Sequence, residues 1–263
     1  DGKGNPVISV KALALGIDIG GSGIKFGLID VDKGEMIGDR LKIDTPQPST
    51  PDAVAAAIRD AILLLNWKGD KIGVGFPAII VDGVSLTAAN IDKAWIGTNV
   101  EELLHSYTGH KYYVINDADA AGVAERMYGR INHIKGTVLL LTLGTGIGSA
   151  LFYDGILIPN TEFGHIQYKG DIAENWVSNR ARKERSLDYD TWAKELSEFL
   201  DYMILMVSPR LIVLGGGISF RFDEFAHHFN HLRTPVVNAT AYNDAGIIGA
   251  AIAAHPELME PFV

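Results

Sequence analysis

Apolar residues in this chain come in short runs broken by glycines and small polar residues, and the same succession of runs occurs twice. Ala12–Asp18, Ile24–Asp30 and Met36–Ile43 predict three strands separated by turn residues, a β-meander. The apolar stretch from Val7 to Ile17 is interrupted by Lys11 and flows into a glycine turn, so it reads as a strand and not as a signal peptide. Thr45-Pro46-Gln47-Pro48-Ser49-Thr50-Pro51 is a stiff connector ending in a helix start, with Thr50 as cap and Pro51 as the first helical residue. Ala53, Ala57, Ile58, Ala61, Ile62 and Leu65 then fall at helical spacing. Lys71–Gly75 and Tyr112–Asn116 read as buried parallel strands. A short helix near Val100–Tyr107 lies between them, and a longer one follows from about Ala118 to Met127.

The pattern restarts at Thr137–Leu143, Ile147–Phe152 and Ile156–Ile158. An irregular stretch, 159–171, leads into two helices, roughly Ile172–Arg185 and Tyr189–Val207. Arg210–Leu214 is a strand ending in Gly215-Gly216-Gly217, and Ala245–Ala254 is a last, alanine-rich helix. The repetition predicts an α/β protein of two similar lobes, each starting βββ and going on with alternating helices and strands. The expected lobes are 11–117 and 118–263, with the helix at 245–254 packing back on the first.

Composition excludes several classes of function. The chain has 263 residues, 47% hydrophobic and 21% charged, which suits a soluble globular protein with ample core. Its net charge of −9 argues against a general nucleic-acid surface. No apolar run is long enough for a membrane span, so no membrane partner is expected. The absence of cysteine rules out disulfides, thiolate zinc sites and a cysteine nucleophile, and it suits a reducing cytoplasm. The chain starts at Asp1 rather than Met, so an upstream segment, missing or processed, is expected.

The candidate chemistry sits at the joints of the pattern. Gly20-Gly21-Ser22-Gly23 joins the first two strands, flanked by Asp18 and Lys25, and Gly144-Thr145-Gly146-Ile147-Gly148 occupies the same place in the second half. Such turns leave backbone N–H groups uncovered and can surround an anion; two of them can grip one polyanion from both sides. The first is not a Walker loop, because no Gly-Lys-Ser/Thr follows, and not a Rossmann fingerprint, because a strand rather than a helix follows. One copy alone would be an ordinary hairpin as readily as a phosphate cradle; two favour phosphate. Asp18 is placed to hold Mg2+ through water, and Lys25 to meet phosphate charge.

Asn116-Asp117 ends a buried strand and opens a helix, the position where open α/β sheets bind ligands. Asp117 there either accepts the proton of an attacking hydroxyl or caps the helix, and the sequence leaves the two even. Glu162-Phe163-Gly164-His165 can hydrogen-bond sugar hydroxyls; without thiolates or a second histidine nearby, His165 is not expected to bind metal. Gly216 and Gly217 permit either a phosphate or close packing at the backbone. Arg180-Ala181-Arg182-Lys183-Glu184-Arg185 is the densest basic cluster, a solvated helix face unless the substrate is a long polyanion.

Taken in order, Ile17–Lys25, Asn116-Asp117, Leu143–Gly148, Glu162–His165 and Val213–Gly217 resemble the ROK sugar kinases, and the likeness runs from about Leu13 to Ala254. The set is specific although no single member is. The resemblance implies a two-lobed actin-like ATPase fold of the ribonuclease-H-like type. Within the family the polyphosphate glucokinases are the most similar branch, on Thr45–Val54, on Thr87–Thr98 and on the basic stretch after Ser178-Asn179.

By that resemblance Asp117 would deprotonate the sugar 6-hydroxyl, and Asn90, Asn116, Glu162, His165 and Glu174 would hold the sugar. Gly20, Gly21, Ser22, Gly23 and Lys25, with Gly144, Thr145, Gly146, Gly216 and Gly217, would hold the phosphoryl donor, and Mg2+ would sit near Asp18. Arg180, Arg182 and Lys183, with Arg185, would contact the distal part of a polyphosphate chain. Many ROK proteins follow the Gly-His pair with a cysteine-rich zinc loop. Here residues 166–173 are too few and lack cysteine, so zinc is not expected, and the match at Glu174 crosses a deletion.

The expectation is a kinase that phosphorylates glucose from inorganic polyphosphate, with ATP as a second donor, working as a cytoplasmic homodimer. The alternatives are an ATP-dependent kinase of mannose or an N-acetylhexosamine, and a sugar-responsive ROK repressor. The repressor needs an N-terminal helix-turn-helix, which the short segment before the first strand does not provide, and an upstream extension carrying one would revive that reading. A purely structural actin-like ATPase would have no use for the Glu162/His165 pair.

Overall fold

The computed structural model describes residues 13–240 and 244–259. The part of the expected first strand before Leu13, and the expected start of the first lobe at residue 11, lie outside the described residues.

In the first half, β1 (Leu13–Ile19), β2 (Gly23–Asp30) and β3 (Glu35–Asp44) pair antiparallel, with Ile17 opposite Phe26 and Phe26 opposite Leu41. Helix α1 (Pro51–Leu65) starts where the Thr50 hydroxyl accepts the Ala53 N–H at 3.4 Å. It stops at Asn66, whose φ of 51° is left-handed. The chain continues through β4 (Lys71–Phe76), the small hairpin β5 (Ile80–Val81) and β6 (Val84–Ser85), α2 (Val100–Thr108), β7 (Lys111–Asn116) and α3 (Asp117–Tyr128). β4 lies parallel to β1 and β7 parallel to β4, so the sheet order is β3-β2-β1-β4-β7.

The second half repeats the plan with β8 (Thr137–Leu143), β9 (Ile147–Tyr153) and β10 (Ile156–Ile158). A two-stranded pair, β11 (Gln167–Tyr168) and β12 (Asp171–Ile172), precedes α4 (Glu174–Val177), α5 (Asn179–Glu184) and α6 (Tyr189–Val207). Strand β13 (Leu211–Gly215), helix α7 (Phe222–Phe225) and β14 (Val236–Asn238) follow, and α8 (Ala245–Ala253) comes last. The order β10-β9-β8-β13-β14 is that of the first sheet, element for element.

Several features depart from the sequence expectation. The helix expected over Ile172–Arg185 is two helices. Ser178 is extended (φ −68°, ψ 161°), and its hydroxyl accepts the Ala181 N–H at 3.1 Å, so a serine suited to capping breaks the run. The β5–β6 and β11–β12 hairpins, α7 and β14 are additional; two to four residues carry no readable period, and β14 is fixed by pairing with β13.

The core explains where the site falls. Helices α1 and α2 cover one face of the first sheet, with Ile58, Ile62 and Leu104 in the cluster that contains Ile17, Val74 and Trp95. Helix α6 covers the second sheet through Trp192, Leu196, Phe199 and Met203. Between the sheets, α3 and α8 pack on each other, α8 lying on β1 and β4 and α3 on β9. The approach is close: a Cβ on Gly73 would stand 1.6 Å from the Ala250 carbonyl oxygen, and one on Gly249 would stand 1.6 Å from that of Ala120. The first turn of α3 is thereby seated in the seam, with Gly75 of β4 on one side and Gly148 of β9 on the other.

Candidate active site

Two recesses meet in this seam. The larger, about 560 Å3, is lined by the β1–β2 turn (Gly20–Ser22), the β8–β9 turn (Gly144–Gly146), Asn90, Asn116, Glu162, His165 and Glu174. The smaller, about 230 Å3, is lined by Asp18, Lys25, the Gly215–Gly217 turn and Gly246. Asp117, Thr142 and Gly216 line both. A carboxylate at the junction of two compartments is placed to act on an atom passed from one to the other.

The two turns are built alike. In each, the first glycine closes the turn with its own N–H: Gly20 donates to the Gly23 carbonyl at 2.9 Å, and Gly144 donates to the Gly146 carbonyl at 3.0 Å. The N–H groups of Gly21, Ser22, Thr145 and Gly146 donate to no other backbone oxygen among the described residues, which leaves them for an anion. Gly23 lines neither recess; it is the structural member of its turn, paired with Asp44 of β3. A Cβ on Gly146 would stand 2.3 Å from Glu174 Oε2, so a larger residue there would displace that carboxylate.

Asn116 and Asp117 divide the work that the sequence left open. Asn116 is the cap of α3: its Oδ1 accepts the N–H groups of Ala118 (2.9 Å) and Asp119 (3.1 Å), and its Nδ2 donates to the Ala78 carbonyl (3.0 Å). Its amide therefore holds the walls of the cleft together. Asp117 accepts one hydrogen bond, from the Ala118 N–H at 2.8 Å, and its second oxygen is left for the cleft. Burial pushes the Asp117 carboxyl up to about 7, and the charge of Asp18 adds to the shift. Asp18 is itself raised by burial, against the pull of Lys25, whose Nζ lies 3.4 Å away.

The acceptor side is a relay of polar groups. His165 Nδ1 lies 2.9 Å from Glu162, its Nε2 lies 3.6 Å from Glu174 Oε2, and Arg180 Nη2 lies 4.0 Å from Glu174 Oε1. Glu174 Oε2 also accepts the Ile147 N–H at 3.1 Å, so the carboxylate braces the second glycine turn. Burial raises the Glu162 carboxyl while His165 lowers it. Neighbouring groups missed in the sequence include Thr87, Ser149 and Thr161, which line the same recess. Thr87 opens the Thr87–Thr98 stretch already singled out; Ser149 and Thr161 bond each other across the loop (2.9 Å), a pairing with no sequence signal.

The basic cluster separates into two pairs. Arg182 donates to Asn179 Oδ1 and the Leu187 carbonyl, each at 3.1 Å, and stacks on Tyr189. Arg185 forms a fork with Glu195 (2.6 and 2.9 Å) over the Trp176 ring. Arg180 lies beside the second glycine turn, with its N–H bonded to the Gly144 carbonyl at 3.1 Å and its guanidinium donating to Asn175 Oδ1 at 3.0 Å near Glu174. Lys183 is exposed, one helical turn on from Arg180.

The donor set fits a hard cation. Asp18 and Asp117 are oxygen donors facing one recess, both disfavoured in their charged form, with Lys25 as the positive partner of Asp18. Mg2+ is typically held by one or two such carboxylates together with phosphate oxygens.

Comparison with known proteins agrees with this arrangement. The ROK family model matches residues 14–175. The polyphosphate glucokinase of Mycobacterium tuberculosis is 45% identical over 249 residues, covering 94% of this chain and 93% of that protein. The crystal structure of the inorganic polyphosphate/ATP-glucomannokinase from Arthrobacter sp. strain KM superposes with a TM-score of 0.89 at 45% identity, covering 94% of this chain and 99% of that one. A ROK family glucokinase from Streptomyces griseus, solved with glucose and AMPPNP, shares the fold at 23% identity, with a TM-score of 0.78 and 93% and 99% of the two chains covered. The two-lobed actin-like architecture is thus that of the ROK sugar kinases, and the chain belongs to the ROK family.

Proposed function

We propose that this protein transfers a phosphoryl group from inorganic polyphosphate to the 6-hydroxyl of glucose. The observation that carries the proposal is Asp117, a carboxylate with one oxygen free and raised to about 7 at the junction of a sugar-type recess and a phosphate-type recess. The 45% identical relatives, a polyphosphate glucokinase and a polyphosphate/ATP-glucomannokinase, support the same donor and acceptor.

Asn90, Glu162, His165 and Glu174 would orient the sugar by its hydroxyls, with Asn116 holding the wall behind them. Asp117 would take the proton of the 6-hydroxyl as it attacks; a base with a pKa near the working pH is suited to that task. The free N–H groups of the two glycine turns, with Gly216, Gly217 and Lys25, would hold the terminal phosphates. Asp18 would hold Mg2+, which when bound neutralises phosphate charge and aligns the chain. Closure of the two halves would exclude water, the competing acceptor. Among the described residues no helix is long and apolar enough to cross a membrane; the reading places the enzyme in the cytoplasm as a homodimer.

The Arthrobacter protein's dual donor and glucomannokinase name favour a second reading, in which ATP and mannose are also used. One coupled assay tests both: glucose and mannose, each against long-chain polyphosphate and ATP. Transfer from polyphosphate to glucose is expected. Activity with ATP alone would overturn the donor assignment, and no activity on any pair would overturn the kinase reading.

A further inference from the structure

The loop that carries Glu162 and His165 is hydrogen-bonded to the other half of the molecule through Asn160. Asn160 has a left-handed φ of 61°. Its side-chain amide bonds the main chain of Ile80 as a strand partner would: Oδ1 accepts the Ile80 N–H at 2.9 Å, and Nδ2 donates to the Ile80 carbonyl at 2.8 Å. Its own N–H donates to Asp119 Oδ2 at 2.8 Å. Ile80 belongs to β5, two residues past Ala78, which lines the cleft, and Asp119 lies two residues past Asp117 in the first turn of α3. Three hydrogen bonds therefore join the acceptor loop, the opposite wall and the helix that carries the proposed base.

Asp119 is an expensive residue for this place. It is 1% exposed, and its Oδ1 has no hydrogen-bond partner among the described residues. A buried polar group with half its capacity unused destabilises a fold. Among the described residues, the one hydrogen bond its carboxylate accepts is from the Asn160 N–H.

We infer that Asp119 and Asn160 form a clasp that positions the acceptor loop, fixing Glu162 and His165 relative to Asp117. Neither residue touches the sugar; both are positioning residues, and their kinetic effect rests on the proposed function. Displacement of about 1 Å at a reacting centre is enough to lose roughly 100-fold in rate, so a clasp two residues from Glu162 is well placed to matter.

Three variants test it. Asn160→Gly keeps the left-handed backbone and the N–H to Asp119 but removes both bonds to Ile80. Asp119→Ala removes the acceptor, whereas Asp119→Asn retains one. Amide exchange over 161–166 in Asn160→Gly and Asp119→Ala should quicken roughly ten-fold, the loss expected for one or two neutral hydrogen bonds. Glucose KM should rise by about the same factor, with polyphosphate KM unchanged. Asp119→Asn should restore both readouts to within about three-fold of the parent. Unchanged exchange in Asn160→Gly overturns the clasp, as does an equal rise in both KM values, which a general loosening would produce. If the parent protein fails to phosphorylate glucose, the proposed function falls, and the exchange measurement still decides the clasp.

Discussion

Asp117→Asn should nearly abolish turnover and, at the same time, stabilise the fold above neutral pH. The amide keeps the shape of the side chain and an oxygen to accept the Ala118 N–H, now at 2.8 Å, but it cannot take a proton from the sugar hydroxyl. A positioned general base contributes about 10²–10⁴-fold, so kcat should fall by that factor while glucose affinity, measured by calorimetry, stays within a few-fold. Because the carboxyl titrates near 7, the parent enzyme should lose kcat/KM below that pH as Asp117 takes up its proton.

The stability half follows from the same shift. The Asp117 carboxyl has an ordinary value of 3.8 and is raised to about 7 in the fold. Between those values the folded state holds the proton that the unfolded chain has lost, so stability falls as pH rises from about 4 to about 7, then levels off. One pKa unit is worth about 1.4 kcal/mol, which sets an upper bound of roughly 4 kcal/mol. Asp117 lines an open cleft, and solvent screening reduces this to about 1–3 kcal/mol. Asparagine never ionises, so the variant should melt higher than the parent at pH 8, by about 2–4 °C per kcal/mol. The gain should shrink toward pH 5. Turnover within a few-fold of the parent would remove Asp117 from the mechanism. A variant less stable than the parent at pH 8 would show that the site does not penalise the charge.

Excess EDTA should abolish phosphoryl transfer and Mg2+ should restore it, since the donors facing the phosphate recess are carboxylate oxygens and the chain has no cysteine; full activity in EDTA, or stoichiometric tightly bound zinc, would contradict this. Arg180→Ala with Lys183→Ala should raise the KM for long-chain polyphosphate several-fold and flatten its salt dependence, with glucose KM and any ATP-dependent rate little changed. Arg182→Ala with Arg185→Ala should lower the melting temperature instead, because those guanidiniums are engaged with Asn179, Tyr189 and Glu195. If the first pair affects both donors equally, or neither, the cluster is a solvated helix face.

Much of the fold is legible because the strong periods are long. Thr137–Leu143 and Tyr189–Val207 agree residue for residue with their expected ranges, each having a clean apolar pattern and distinct ends. The break at Ser178 is not legible because Ala173, Val177 and Ala181 keep helical spacing across it; the extended backbone of Ser178 and its capping hydrogen bond separate the two helices. β14 is set by its parallel register with β13, which no local pattern encodes.

The site shows a finer limit, in how adjacent residues share the tasks of a motif. Asn116-Asp117 allows either residue to cap α3. The cap falls to Asn116 because its Oδ1 reaches two N–H groups while its Nδ2 reaches Ala78. That choice leaves Asp117 with one accepted bond, a raised carboxyl and a free oxygen, the three properties a base at this position needs. The same kind of division ties Arg182 to Asn179 and Leu187 within the second half, and it assigns Asn160, a loop residue, to the opposite wall. Residue types and spacing bring the right chemistry to the seam, while hydrogen bonds from distant parts of the chain decide which side chain is left free to perform it.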